Sequence, residues 1–117
     1  MALAIRQGAI YLANLSPQKG TEPAVLILQD QALLDAGHPS TIIIPLTTNL
    51  IDDAEPLRVR VKAREKLARD SDLLIDQIRA IDNRRITSGP IANLDSEMVK
   101  RIYQAVLEVI GFNLFAP

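Results

Sequence analysis

The sequence contains no cysteine and no tryptophan, one histidine, and four other aromatic residues, Tyr11, Tyr103, Phe112 and Phe115. Without cysteine there is no disulfide framework, thiol nucleophile, zinc ribbon or iron–sulfur site, and a reducing compartment is the expected setting. The single imidazole, His38, excludes any mechanism that needs two histidines, and it is expected in a loop with no catalytic part. Long apolar runs are missing as well. Nothing approaches the length of a membrane-spanning helix, and Met1 to Ile5 lacks the basic start and apolar stretch of a signal peptide, so a cytoplasmic location is expected. Nor is there an excess of charge of one sign. Thirteen Lys and Arg against 14 Asp and Glu give a formal net charge of −1, which argues against bulk attraction to nucleic acid or anionic lipid.

What is present is a change of period along 117 residues, a length suited to one domain over 1–117, with no repeat or low-complexity tract. Gly8 to Leu15 is β-prone and is closed by turn residues Ser16, Pro17 and Gly20. The short apolar runs Ala24 to Gln29 and Thr41 to Leu46 suit buried strands, with a turn of helix and a loop between them. From Leu57 the residues alternate strictly. Leu57, Val59, Val61 and Ala63 face one way and Arg58, Arg60, Lys62 and Arg64 the other, a core face backed by a cationic one. A further extended stretch is expected from Leu73 to Ile81, with short pairings at Ile86 and Ile91. The end of the chain turns helical: Met98, Ile102, Val106 and Val109, widened by Ala105 and Ile110, form one apolar stripe. Asp95 suits the N-cap and Gly111 the stop. Five or six short strands followed by an amphipathic helix predict a small α+β domain, a curled antiparallel sheet or partly closed barrel with the helix packed on it.

No phosphate-binding loop, dinucleotide turn, zinc-protease helix or serine-hydrolase elbow is present. The candidate chemistry lies in polar residues at strand ends. Thr47, Thr48 and Asn49 follow an apolar strand directly; they read either as a turn cap or as side chains that leave the core to meet a ligand. Ser71, Asp76, Gln77 and Arg79 fall within nine residues. On a strand Gln77 and Arg79 would share one face and Asp76 the other, as a solvated edge or as part of a site. The Lys and Arg face from Arg58 onward equally suits edge protection. Asp52, Asp53 and Glu55 read as a solvated turn before Pro56 rather than a cation site.

The order of these pieces carries more than any one of them. Gly8-x-Ile10-Tyr11-Leu12-Ala13-Asn14-Leu15-Ser16-Pro17, then Gly20-Thr21-Glu22-Pro23, Ala24-Val25-Leu26-Ile27, Pro45-Leu46-Thr47-Thr48-Asn49, Asp70-Ser71 and Asp76-Gln77-Ile78-Arg79-x-Ile81-Asp82-x-x-Arg85 together resemble the MazF/PemK family of bacterial toxins. The resemblance covers nearly the whole chain. It implies a compact SH3-like antiparallel β-barrel of the CcdB, MazF and Kid type with a C-terminal amphipathic helix, a homodimer, and sequence-specific cleavage of single-stranded RNA without metal or other cofactor. It also implies a cognate antitoxin whose C-terminal segment blocks the RNA site. In the family pattern Thr47 matches the catalytic Thr and Asp76 a carboxylate given base chemistry in the Kid branch. Thr48, Asn49, Ser71, Gln77 and Arg79 match or adjoin the RNA-binding positions.

The chain departs from that pattern at one place. Family members carry an Arg-Pro a few residues after the Gly-Thr-Glu-Pro segment, and that Arg is their principal catalytic cation; here Glu22-Pro23 runs straight into Ala24. The Kid branch places its Arg two residues before the Asp-Gln pair, where this chain has Leu74. The departure leaves an alternative open: a protein of the same barrel that acts by contact, as a CcdB-like gyrase binder or an inactive antitoxin-binding homologue, since fold alone does not set function.

Overall fold

The computed structural model describes residues 4–15 and 22–111. The turn expected at Ser16, Pro17 and Gly20 lies outside them, as do Phe112 and Phe115. Seven strands and two helices follow one another: β1 (Ala9–Ala13), β2 (Ala24–Ile27), α1 (Gln31–Asp35), β3 (Ser40–Thr47), β4 (Arg58–Val61), β5 (Ser71–Leu74), β6 (Arg79–Asp82), β7 (Ile86–Asn93) and α2 (Ser96–Val109). The strands form one antiparallel sheet in the order β4-β5-β3-β2-β1-β7, with β6 also paired to β3. The stretch from Leu73 to Ile81, expected as one extended piece, is two strands parted by a 3-10 turn at Ile75–Gln77. Both halves lie on the same edge of β3, with Leu73 opposite Leu46 and Arg79 opposite Ile43. Ile86 and Ile91, expected in separate short pairings, belong to a single eight-residue strand.

The central strands explain their own unbroken apolar runs, because they bury both faces. Ile10, Leu26, Ile44 and Leu46 point to the inner core with Val59, Val61, Leu73 and Ile75; Tyr11, Val25, Ile27 and Ile43 point to a second cluster with Ile81 and Ile86. Each fully buried aliphatic side chain of this kind stabilises the fold by roughly 1.5–3 kcal/mol before entropy is counted. Helix α2 closes the inner core with Ile102 and Ala105, flanked by Met98, Val106 and Val109. Its start is the expected one, Asp95 Oδ1 accepting from the Met98 N–H at 2.9 Å, and Gly111 follows its last turn at φ +85°. Ile110 does not widen the stripe; it caps the helix beyond its last turn and is 65% exposed.

The end strands β4 and β7 do not pair. The connection after β4 bridges them instead, through the Lys66 N–H donating to Ile91 O at 2.8 Å and the Asn93 N–H donating to Glu65 Oε2 at 2.6 Å. The result is the expected α+β fold, a barrel-like antiparallel sheet left open at one seam. Strand β7 bends past β1 at Gly89, whose φ of +136° suits glycine and where a Cβ would meet Tyr11 Cδ2 at 2.7 Å.

Candidate functional site

Strand β3 ends at Thr47, half-buried, and delivers Thr48 and Asn49 to the surface. The Asn49 N–H donates to Thr47 Oγ1 at 3.1 Å, so the segment is the turn cap that one reading of the sequence proposed. It is also the rim of a groove. Thr47, Thr48 and Ser71 line a hollow of about 440 Å³ with Pro23, Lys66 and Arg69, over an apolar floor that includes Leu12 and Ile91. Pairing places these residues together: Thr47 lies opposite Asp72, next to Ser71, and the connection after β4 returns Lys66 and Arg69 to the same wall. Neither of those cations forms an ion pair among the described residues. Ser71 is only 2% exposed and its hydroxyl donates to Arg69 O at 3.1 Å, which makes it wall rather than open hydroxyl.

Asp76, Gln77 and Arg79 are exposed but stand outside this groove. Asp76 and Gln77 sit in the 3-10 turn, so strand alternation does not assign their faces, because a 3-10 helix takes three residues per turn. Arg79 pairs with Ile43, four residues back along β3 from Thr47, which is about 13 Å at the usual strand rise. Glu22 is exposed beside the groove, and its Oε2 accepts from Thr87 Oγ1 at 3.1 Å. His38 lies in a loop, with Nε2 3.3 Å from Ser40 Oγ.

The cationic face of β4 proves different from its sequence reading. Val59 and Val61 are buried as the alternation requires, but Leu57 and Ala63 are exposed past the strand ends. Arg58 and Arg60 are not a free ladder, since both engage Asp72, whose side chain is 1% exposed. Arg60 Nε donates to Asp72 Oδ1 at 2.6 Å and its Nη1 to Asp52 Oδ1 at 2.9 Å; Arg58 Nη1 donates to Asp72 Oδ2 at 3.3 Å. Burial alone pushes the Asp72 carboxyl up, but Arg60, the Ile51 N–H and Arg58 together hold it below the ordinary carboxylate range. The bonds to Asp72 and then Asp52 raise Arg60 in turn. The acidic run before Pro56 is likewise engaged: besides Asp52 with Arg60, Glu55 pairs with Arg101 of α2, which holds its carboxyl below its usual value. Sequence reasoning missed Asp72. Its one signal was a carboxylate inside the strand-like Ser71-Asp72-Leu73-Leu74, which becomes meaningful only once β5 is known to lie against the alternating arginines.

A larger hollow, about 720 Å³, lies elsewhere, between α1 and the Asn83–Thr87 segment, and is lined by none of the candidate catalytic or RNA-binding residues. Among the described residues no helix is long and apolar enough to cross a membrane.

A family model described as the PemK-like, MazF-like toxin of type II toxin-antitoxin systems matches residues 6–110. Endoribonuclease EndoA of Bacillus subtilis is 34% identical over 110 residues, covering 87% of this chain and 90% of that protein. Among solved structures, MazE-MazF from Deinococcus radiodurans superposes with a TM-score of 0.75 at 18% identity, over 93% of this chain and 98% of that one. A mycobacterial endoribonuclease in complex with its cognate antitoxin superposes with a TM-score of 0.70 at 17% identity, over 92% and 94%. At such identities the structures speak for the fold, and the sequence matches speak for descent. The chain belongs to the PemK/MazF-like family of toxins of type II toxin–antitoxin systems.

Proposed function

We propose that this chain is an endoribonuclease toxin that cuts single-stranded mRNA in the cytoplasm and is held in check by a cognate antitoxin. The observation that carries the reading is the groove at the end of β3, where the hydroxyls of Thr47 and Thr48 stand with Lys66 and Arg69, cations without an ion pair among the described residues, in a member of this family. The reaction is attack of a ribose 2′-oxygen on the adjacent phosphorus, with a 2′,3′-cyclic phosphate and a 5′-hydroxyl as products. It needs a proton taken from the 2′-oxygen, donors for the charge that grows on the phosphoryl oxygens, and a proton for the leaving 5′-oxygen. No metal or other cofactor is assigned to any of these tasks.

Thr47 supplies a hydroxyl donor, and Lys66 and Arg69 hold the RNA backbone. Thr48, Asn49 and Ser71 shape the groove. Asp76 is the carboxylate assigned to the 2′-proton, with Gln77 and Arg79 beside it on the RNA path. Asp76 stands outside the Thr47 groove, and the chain is proposed to act as a homodimer, as its family implies. Since no Arg stands between Glu22 and Ala24 and Leu74 fills the other family position, one transition-state donor is missing. Loss of such a donor commonly costs on the order of a hundredfold in rate, so slow cleavage is expected.

End-labelled single-stranded RNA incubated with the chain in excess chelator tests the proposal. Cyclic-phosphate ends that appear slowly, and more slowly still by about tenfold or more with Thr47→Val, support it. RNA left intact would sink it. The missing Arg favours one second reading, a non-cutting homologue that binds antitoxin, which predicts antitoxin capture with no RNA product; gyrase-dependent DNA breaks would point to a CcdB-like binder.

A further inference from the structure

We infer that Asp72 is a positioning residue for the cutting site: its buried carboxylate clamps the segment after β3 and, through that segment, sets the orientation of the Thr47 hydroxyl. The inference rests on the proposed role of Thr47 in RNA cleavage.

Asp72 is the cross-strand partner of Thr47, so its side chain stands where β3 gives way to irregular backbone. The segment that follows is poorly anchored by packing, with Leu50 39% and Ile51 52% exposed. Polar bonds hold it instead. Asp72 Oδ2 accepts from the Ile51 N–H at 2.9 Å and from Arg58 Nη1, and the same Arg58 nitrogen donates to Asn49 O at 2.8 Å. Through Oδ1 the carboxylate holds Arg60, which reaches Asp52. The chain from 49 to 52 is thus fixed at a carbonyl, an amide and a side chain, all referred to one carboxylate.

Fixing Asn49 has a chemical effect. Its N–H donates to Thr47 Oγ1 at 3.1 Å and so occupies one of the two acceptor sites of that hydroxyl. The hydroxyl proton remains available to point into the groove, where a phosphoryl oxygen developing charge would take it. A mobile segment 49–52 would let Thr47 rotate or exchange its partner for water. A merely supportive role for Asp72 in the β4–β5 hairpin is the weaker account, because the buried Val59, Val61 and Leu73 already pack that hairpin.

The test uses the full chain with Asp72→Asn, with Arg58→Met as a second variant that keeps the Arg60–Asp72 pair, and with Arg84→Ala as a control whose ion pair with Asp82 lies elsewhere. Amide hydrogen exchange and single-stranded RNA cleavage are measured on each. Exchange at Asn49 and Ile51 is expected to accelerate by roughly tenfold in both clamp variants, with β1 and β2 amides unchanged, and kcat to fall by about tenfold with KM nearly constant. Arg84→Ala should match the parent. Unchanged exchange at Ile51 in a folded clamp variant would overturn the clamp; faster exchange with undiminished kcat would overturn its link to Thr47. If Asp72→Asn does not fold, Arg58→Met decides both points. If the parent cuts no RNA, the functional reading fails by itself and the exchange data still decide the clamp.

Discussion

Asp72 also makes the stability of the protein depend on pH, and the direction follows from its surroundings. A carboxylate with 1% of its side chain exposed is costly to ionise without partners; here two guanidinium groups and an amide more than offset that cost and hold its proton affinity below the ordinary value of 3.8. On acidification the unfolded chain therefore takes up the proton before the folded one does. The stabilisation is complete above the unfolded value and is lost as pH falls through the folded one. Because Arg58 and Arg60 reach solvent, the contribution is smaller than the roughly 3–5 kcal/mol at stake in a fully buried pair. Urea unfolding of the parent and of Asp72→Ala should differ near neutrality, and the gap should close only as pH falls below the ordinary carboxylate value of 3.8 and through the lower folded one. A gap that stays constant down to strongly acid pH would show that the carboxylate charge is not what stabilises.

At the scale of elements, legibility followed how local the cause was. Helix α2 was readable because its stripe and cap lie within one stretch of chain, and it failed only at Ile110, past the last turn. The break between β5 and β6 was hidden. Leu73 to Ile81 has no period that separates a strand from a strand, a 3-10 turn and a strand, and the turn is stabilised by Ile75 entering a core built from distant residues. For the same reason the sequence put Gln77 and Arg79 on one face and could not place them outside the Thr47 groove. Arg58 and Arg60 were correctly set opposite the valines, but their partner comes from the neighbouring strand. The groove itself was half legible: Thr47, Thr48 and Ser71 were named, whereas nothing in the sequence singled out Lys66 and Arg69 from the other surface cations. The connection between β1 and β2 carries the clearest expectation. Inserting a five-residue segment with one Arg between Pro23 and Ala24 should raise the rate of RNA cleavage by roughly a hundredfold if that guanidinium reaches the phosphate. The assay is the same labelled RNA, with an Arg→Ala version of the insert as control; equal rates for the two inserts would show that the missing cation is not the deficit.

For the whole molecule, a net charge of −1 first spoke against nucleic acid, and the structure sharpens that argument. Arg58 and Arg60 at the start of the basic cluster are neutralised internally by Asp72 and Asp52, and Arg101 by Glu55. Among the described residues, the cations that line the groove are Lys66 and Arg69. Binding that depends on a few local cations has a definite salt signature, because each neutralised phosphate of a single strand releases about 0.7 of a counterion. The two groove contacts contribute about −1.4 to the slope of log K against log salt and Arg79 on the RNA path about −0.7 more, still far shallower than for a protein that coats the backbone with many basic residues. Lys66→Ala and Arg69→Ala should each flatten the slope by about 0.7, while Arg58→Met, whose charge is already engaged, should leave it nearly unchanged. Fluorescence anisotropy with a labelled RNA in which 2′-deoxyribose blocks cleavage measures the slope for each variant. A steep parent slope, or one that responds to Arg58 and not to Lys66 and Arg69, would move the RNA path away from the groove at the end of β3. A shallow slope carried by those two cations would explain how a protein of nearly balanced charge selects one strand in a groove without attracting RNA in bulk.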